Sequence, residues 1–391
     1  MLEDVTMPPA EVAVAETVAP REKAEPSVPR ESFFQRIRHF FSDSIGIDLG
    51  TSNTVIHISG RGIVLREPTV VALRGPDVVA IGAEAKRMLG KTPPSMRTVR
   101  PLRDGVIADF DVCQEMIRHF IRQVQPRQIT APRVVVAIPA GVTEVERRAV
   151  REAILQAGAS TVYLIEECLA AAIGARTRVN EPCGTFVISI GGGTTQAAVI
   201  SLREVVISRV TPVGGDALDR AIVDHFLRKH HFAISERTAE NLKIEFGHVA
   251  ASPTKSGARG VTSSSHEGAP KEKVPPAVAG EPIEIKGRIE NGLPRAMQVM
   301  PEEIADALEP SIRIVIETVK DALAATPPEL AADVVRDGML MAGGGALLRG
   351  LPERIARETG LAVRVAEDPL SVVAIGAGHY LENLSAPPNE S

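Results

Sequence analysis

Long apolar runs, a cysteine framework and an excess of positive charge are all missing from this chain, and each absence removes a class of protein. No stretch approaches the ~20 apolar residues that a bilayer span needs. The N-terminus lacks the apolar core of a signal peptide. Cys113, Cys168 and Cys183 are the only cysteines. An odd, scattered set without metal-ligand spacing fits a reducing cytoplasm better than a disulfide scaffold. The net charge of −5 and a sequence pI near 6.1 argue against a general nucleic-acid binder. Aromatic residues make up only 3% of the chain, so any cluster of them stands out. What remains is ordinary globular composition, 44% hydrophobic and 24% charged over 391 residues, long enough for two domains with separate cores.

Three glycine turns organise the chain. Ile45-Gly46-Ile47-Asp48-Leu49-Gly50-Thr51-Ser52-Asn53-Thr54 reads as an apolar strand, a turn of glycine and hydroxyl residues, and a second strand. Such a turn exposes backbone N–H groups, and glycine lets a phosphate approach them. Asp48 sits at its lip, where a carboxylate can hold a divalent cation or its waters. The pattern returns in Phe186-Val187-Ile188-Ser189-Ile190-Gly191-Gly192-Gly193-Thr194-Thr195-Gln196, and a third turn, Gly343-Gly344-Gly345-Ala346, follows another apolar run. Three unrelated tight turns would be the bland explanation. Their recurrence at strand ends favours one nucleotide gripped from two sides.

Around these turns the reading is α/β. Residues 1–31 are rich in Pro, Glu, Ala and Val without a period and read as a disordered leader. In 32–43, Phe33, Phe34, Ile37, Phe40 and Phe41 fall on one helical face, with Arg36, Arg38 and His39 turned away. Four of the ten phenylalanines lie here. Such a helix either docks as ordinary core or lies in a lipid interface, and its place between a leader and the first strand favours the membrane. Strands and helices then alternate, with a loop from Lys91 to Pro101, a flexible excursion at 250–280, a long helix ending before Pro327-Pro328, and a final helix near Ser371–Leu384. Strand–turn–helix units in two similar halves imply a duplicated fold with a cleft between lobes, a favoured place for ligands.

With these residues assembled, the chain resembles the MreB family of bacterial actin homologues, and more widely the actin, heat-shock chaperone ATPase and sugar-kinase superfamily. The resemblance covers roughly 43–382. It rests on the first two glycine turns, Asp104-Gly105-Val106-Ile107-Ala108-Asp109, Glu144-Val145-Glu146-Arg147-Arg148, Leu164-Ile165-Glu166-Glu167, Gly214-Gly215-Asp216 and Gly343-Gly344-Gly345-Ala346-Leu347-Leu348. It implies a four-subdomain actin-like fold. Lobe I would span 44–183 with a small insertion at about 72–102. Lobe II would span 184–365, divided into 184–218 with 300–365 and 219–299, and 366–391 would return to lobe I. It further implies ATP and Mg²⁺ in the cleft, self-assembly into filaments under the inner membrane, and guidance of cell-wall elongation proteins, so that the chain would be cytoplasmic and peripheral at the membrane.

Carried over position by position, Thr51, Ser52 and Asn53 would meet the phosphates from one lobe and Gly191, Gly192 and Gly193 from the other. Gly215 and Asp216 would lie near the ribose, Glu240 and Lys243 would flank the adenosine, and Gly343, Gly344, Gly345 and Ala346 would close over the base. Asp48 would serve the metal. Glu167 would orient the attacking water, a role that suits a carboxylate because phosphoryl transfer needs positioning more than covalent chemistry. A glutamate at a helix start is also stabilised by the helix dipole alone.

Three positions depart from the family. Ser189 stands where it has an aspartate that holds the metal's waters, Gln196 where it has glutamate, and Cys168 where it has proline. The internal repeat makes the first point independently, because Asp48 in one copy pairs with Ser189 in the other. Losing one carboxylate should weaken transition-state stabilisation, so binding is expected to survive while hydrolysis slows or disappears. The rival readings are a non-hydrolysing nucleotide-gated scaffold, a chaperone-type ATPase, for which no substrate-binding domain is seen, and a sugar kinase, for which no sugar-binding constellation is seen.

Overall fold

The computed structural model describes residues 44–125, 131–249, 281–289 and 292–385. The phenylalanine cluster Phe33–Phe41 and the excursion at 250–280 lie outside the described residues. The first half opens with β1 (Ser44–Leu49), β2 (Asn53–Ile58) and β3 (Gly62–Pro68). A small unit follows, made of β4 (Val71–Arg74), β5 (Asp77–Ile81), α1 (Ala83–Met88) and β6 (Arg97–Val99). The ribbon β7 (Leu102–Arg103) and β8 (Val106–Ile107) leads to α2 (Phe110–Val124), β9 (Arg133–Ile138), α3 (Glu144–Gln156), β10 (Thr161–Glu166) and α4 (Glu167–Gly174).

The second half begins with β11 (Thr185–Ile190), β12 (Thr195–Ser201), β13 (Glu204–Thr211) and α5 (Gly215–His230). Next come β14 (Phe232–Ala233), α6 (Glu236–Phe246), β15 (Ile283–Ile289), β16 (Pro294–Val299) and the long α7 (Pro301–Ala324). The chain closes with α8 (Pro328–Asp337), β17 (Met339–Ala342), a 3₁₀ turn (Gly344–Leu347), α9 (Leu351–Thr359), β18 (Val363–Val365) and α10 (Val372–Ser385).

The duplication expected from the glycine turns is visible in strand order and in register. One sheet runs β10-β9-β1-β2-β3 and the other β18-β17-β11-β12-β13. In each, an antiparallel meander adjoins two parallel strands. Asp48 faces Val55 across one hairpin and Ala137 on the parallel side. Ser189 faces Gln196 and Ala342 in the same two places. The two positions are therefore structural equivalents, and a one-residue slip would have turned one of them to the opposite face.

Local chemistry explains most helix starts. Thr143 and Glu146 form a reciprocal capping box at α3, while Asp109 and Ser235 accept from backbone N–H groups at α2 and α6. Each removes donors that a helix start leaves unpaired. Two elements differ from the sequence reading. The segment Pro328–Asp337, to which the sequence reading assigned no helix, is α8: proline at a first turn starts a helix as readily as it stops the previous one. Only Val334 of α8 is buried. Likewise β6 lies within the expected loop Lys91–Pro101, as an edge strand paired to β4.

Each sheet has its own buried core, and a third core joins them around α4 and α10. The two helices approach so closely that side chains are excluded. A Cβ on Gly376 would stand 1.8 Å from the Ala170 carbonyl oxygen, and one on Gly174 would stand 2.0 Å from that of Val372. The two sheets thus meet at a glycine-faced helix crossing.

Candidate functional site

Both hairpins end on the same cavity. The β1–β2 turn brings Gly50, Thr51, Ser52 and Asn53; the β11–β12 turn brings Gly191, Gly192, Gly193 and Thr194; Asp48, Glu167 and Ser189 line it from the strand ends. The bends touch one another, for a Cβ on Gly192 would lie 2.1 Å from Ser52 Oγ. Gly343 also lines the cavity. Its φ of +82° and its packing on the Ile190 backbone leave room for no side chain.

Other residues singled out by sequence stand further off. Gly345 packs on Ile190, Gly344 faces Leu370, and Ala346 is buried in the second core, so none of the three lines the cavity. Gly215 and Asp216 donate their backbone N–H groups to the carbonyls of Gly191 and Gly192, which seats the start of α5 against the second bend. Lys243 is held by Asp219 at 2.8 Å and by the Gly215 carbonyl at 2.9 Å.

Two ion pairs cross the mouth. Lys86 on α1 reaches Glu240 on α6 at 2.7 Å. Arg100 reaches Asp216 at 2.9 Å, and Ser52 Oγ donates to the same aspartate at 3.1 Å. The acids expected near the nucleoside are thus taken by cations of the small unit. Neither Lys86 nor Arg100 was foreseen, since nothing in their local sequence says which acid lies opposite. The cavity between the bends holds about 80 Å³, less than the roughly 300–1,000 Å³ of small-molecule sites.

The floor is a carboxylate pair with a neutral surround. Burial first, and then the charge of Asp48, push Glu167 up to about 8, while a hydrogen bond from Gln196 opposes the rise. Burial pushes Asp48 up to about 7. Gln196 is fully buried; its carbonyl oxygen accepts from Ala140 N–H at 2.9 Å, and its amide donates to Glu167 Oε2. A backbone N–H can only donate, so the amide orientation follows from the contacts. Ser189 is 3% exposed, and Cys168 beneath it is buried in the third core, so the latter exchange is a packing change.

No group of three His, Cys, Asp or Glu side chains is arranged to hold a metal by itself among the described residues. One inward carboxylate beside a phosphate-sized glycine cradle does fit Mg²⁺, which keeps most of its waters and binds through one or two carboxylates and phosphate oxygens.

Comparison with known proteins places this geometry. A family model described as MreB/Mbl protein matches residues 42–274 and 272–388. The chain belongs to the MreB/Mbl family. It is 44% identical over 357 residues to the cell shape-determining protein MreB of Escherichia coli K12, covering 89% of this chain and 96% of that relative. It is 41% identical over 352 residues to Mbl of Bacillus subtilis 168, covering 89% and 98%. Among solved structures, MreB5 of Spiroplasma citri bound to ADP superposes with a TM-score of 0.77 at 32% identity, covering 88% of this chain and 97% of that one. The MamK double helical filament, at 22% identity and a TM-score of 0.69, shares the fold. The architecture is therefore the actin-like one, and the MreB/Mbl family is one of cell shape-determining proteins.

Proposed function

We propose that this chain binds an adenine nucleotide with Mg²⁺ between its two halves, polymerises into filaments at the inner face of the cell membrane, guides cell-wall synthesis there, and hydrolyses ATP slowly. The halves would act as lobes, with the boundaries expected from the sequence. The observation that carries the reading is the pair of glycine bends facing each other over Asp48 and Glu167. The solved MreB5 relatives are bound to ADP and AMPPNP, which supports a nucleotide in the equivalent cleft.

In this reading the backbone N–H groups of both bends hold the phosphates, with Thr51, Ser52 and Asn53 adding hydroxyl and amide contacts. Mg²⁺, held by the phosphates and through Asp48, would neutralise charge on the transferring group. Glu167, its carboxylate fixed by Gln196, orients the attacking water and accepts its proton. Asp216 and Glu240 exchange Arg100 and Lys86 for the ribose as the mouth opens. Ser189 offers a hydroxyl where a charge would stabilise the reacting centre more strongly, and this slows hydrolysis without abolishing binding.

Calorimetry of the full chain with Mg·ATP, followed by sedimentation with and without anionic liposomes, tests the reading. Saturable binding and nucleotide-dependent pelleting are expected. An isotherm flat up to millimolar ATP with excess magnesium would overturn it.

A further inference from the structure

A cationic concavity lies away from the glycine bends, where α3 passes the outer edge of β10. It encloses about 570 Å³ and is lined by Arg147, Arg148 and Arg151 of α3, by residues 162–164 of β10, and by Tyr380 of α10. In a chain of net charge −5, three arginines on one groove are a local reversal of sign. They are poorly neutralised. Glu144, the acid in the lining, meets Arg147 only at 3.7 Å, and Arg148 is tied to Glu152 in the exposed pair along the helix. Arg151 makes no ion pair or hydrogen bond among the described residues.

The floor of the groove is a strand edge. β9 is the only strand paired to β10 among the described residues, so one side of Thr161–Glu166 presents backbone donors and acceptors outward. Proteins usually blunt such an edge by shortening it or by placing lysine or proline on it. The duplicated half does so, because the equivalent strand β18 has only three residues. β10 keeps six, Thr161-Val162-Tyr163-Leu164-Ile165-Glu166, without lysine or proline and rich in strand formers. On the far wall, the Tyr380 ring is steadied by the Arg203 guanidinium at 5.7 Å.

We propose that this groove is a docking site for an extended, acidic segment of a partner protein, which adds as a further strand to the free edge of β10 while its carboxylates pair with Arg147 and Arg151. Strand addition supplies main-chain hydrogen bonds, and the flanking pockets supply selectivity. Arginine forks suit carboxylates in two-point contacts. Arg147 and Arg151 stand one helical turn apart, about 6 Å along the axis, close to the ~6.6 Å between alternate side chains of a strand. One strand face therefore presents successive acids to both. A membrane surface could use the charge but not the strand edge, which is why a peptide is the favoured occupant.

The test uses the full chain and fluorescein-labelled peptides in which glutamate alternates with valine or threonine. Three comparison peptides carry lysine for glutamate, N-methylated alternate residues, or both. Fluorescence anisotropy is expected to show salt-sensitive binding of the acidic peptide. Weakening of about tenfold or more is expected on N-methylation and in Arg151→Glu, a change at an exposed residue that leaves the fold and nucleotide binding intact; about tenfold corresponds to ~1.4 kcal/mol. The proposal is overturned if the lysine peptide binds equally well, if N-methylation is without effect, if Arg151→Glu binds like the parent, or if no acidic peptide binds. Arg151-dependent capture of phosphatidylserine vesicles without peptide binding would overturn it in favour of a membrane-facing surface. None of these outcomes depends on ATP turnover.

Discussion

Ser189 and Asp48 occupy the same place in two copies of one fold, yet only one of them carries charge. That asymmetry sets the expected chemistry. In Ser189→Asp, phosphate release from Mg·ATP should rise by about tenfold or more, since a charged group at a reacting centre is worth about 3 kcal/mol in favourable cases. A malachite-green time course on both proteins reads this directly, and equal rates would remove Ser189 from the explanation. The buried pair Asp48 and Glu167 has a second consequence. A carboxyl whose pKa is raised by folding stabilises the folded chain fully below its unfolded pKa of about 4 and loses that contribution as pH climbs through its folded value. With folded values of about 7 and about 8, ligand-free protein in EDTA should lose on the order of a few kcal/mol of stability between pH 5 and 8, discounted for solvent reaching the cavity. Thermal melts across that range should show the fall, and Asp48→Asn should flatten it.

Among the elements, two contacts join the halves. The first is the crossing of α4 and α10, where Gly174 and Gly376 allow backbone-to-backbone approach. Gly376→Ala forces those helices apart, and overpacking of this kind costs typically ~1–3 kcal/mol. A lowered midpoint in urea with an unchanged slope is the expected result. The second contact is the ion-pair clasp of α1 on α6. Lys86 and Glu240 are partly exposed and their pair adds little to stability, but in the proposed function it gives way as a nucleotide enters. Lys86→Gln should therefore speed the association of a fluorescent ATP analogue by several-fold in stopped flow while leaving the melting temperature nearly unchanged. Parent protein should associate faster as NaCl rises, the reverse of simple attraction between a cationic site and an anionic ligand.

At the scale of the whole molecule, the proposed filament and membrane roles concern parts outside the described residues as well as those within. Removal of residues 32–41 should abolish liposome co-sedimentation while preserving nucleotide-dependent pelleting without lipid. Loss of both would show that the phenylalanine cluster belongs to the core. Among the described residues no helix is long and apolar enough to cross a membrane.

Much of the architecture was legible because it is written in local chemistry. Glycine turns at strand ends, the Thr143–Glu146 capping box and β-branched runs such as Val134-Val135-Val136 each act within a few residues, and the repeat of the first turn in the second announced the duplicated fold. The Asp48–Ser189 equivalence was visible from that repeat alone, and strand register bears it out. α8 escaped notice because Pro327-Pro328 reads as a helix stop, although the second proline also serves the first turn of the next helix. Sequence by itself determined most of the elements, the family and the two glycine bends that line the cavity. Only the tertiary structure decided that Glu240 answers Lys86 rather than open solvent, that Gln196 joins Ala140 to Glu167, and that Arg151 lines a groove at a sheet-edge strand. Those contacts join residues far apart in the chain or on separate elements, where propensity and periodicity carry no information and packing alone selects the neighbour.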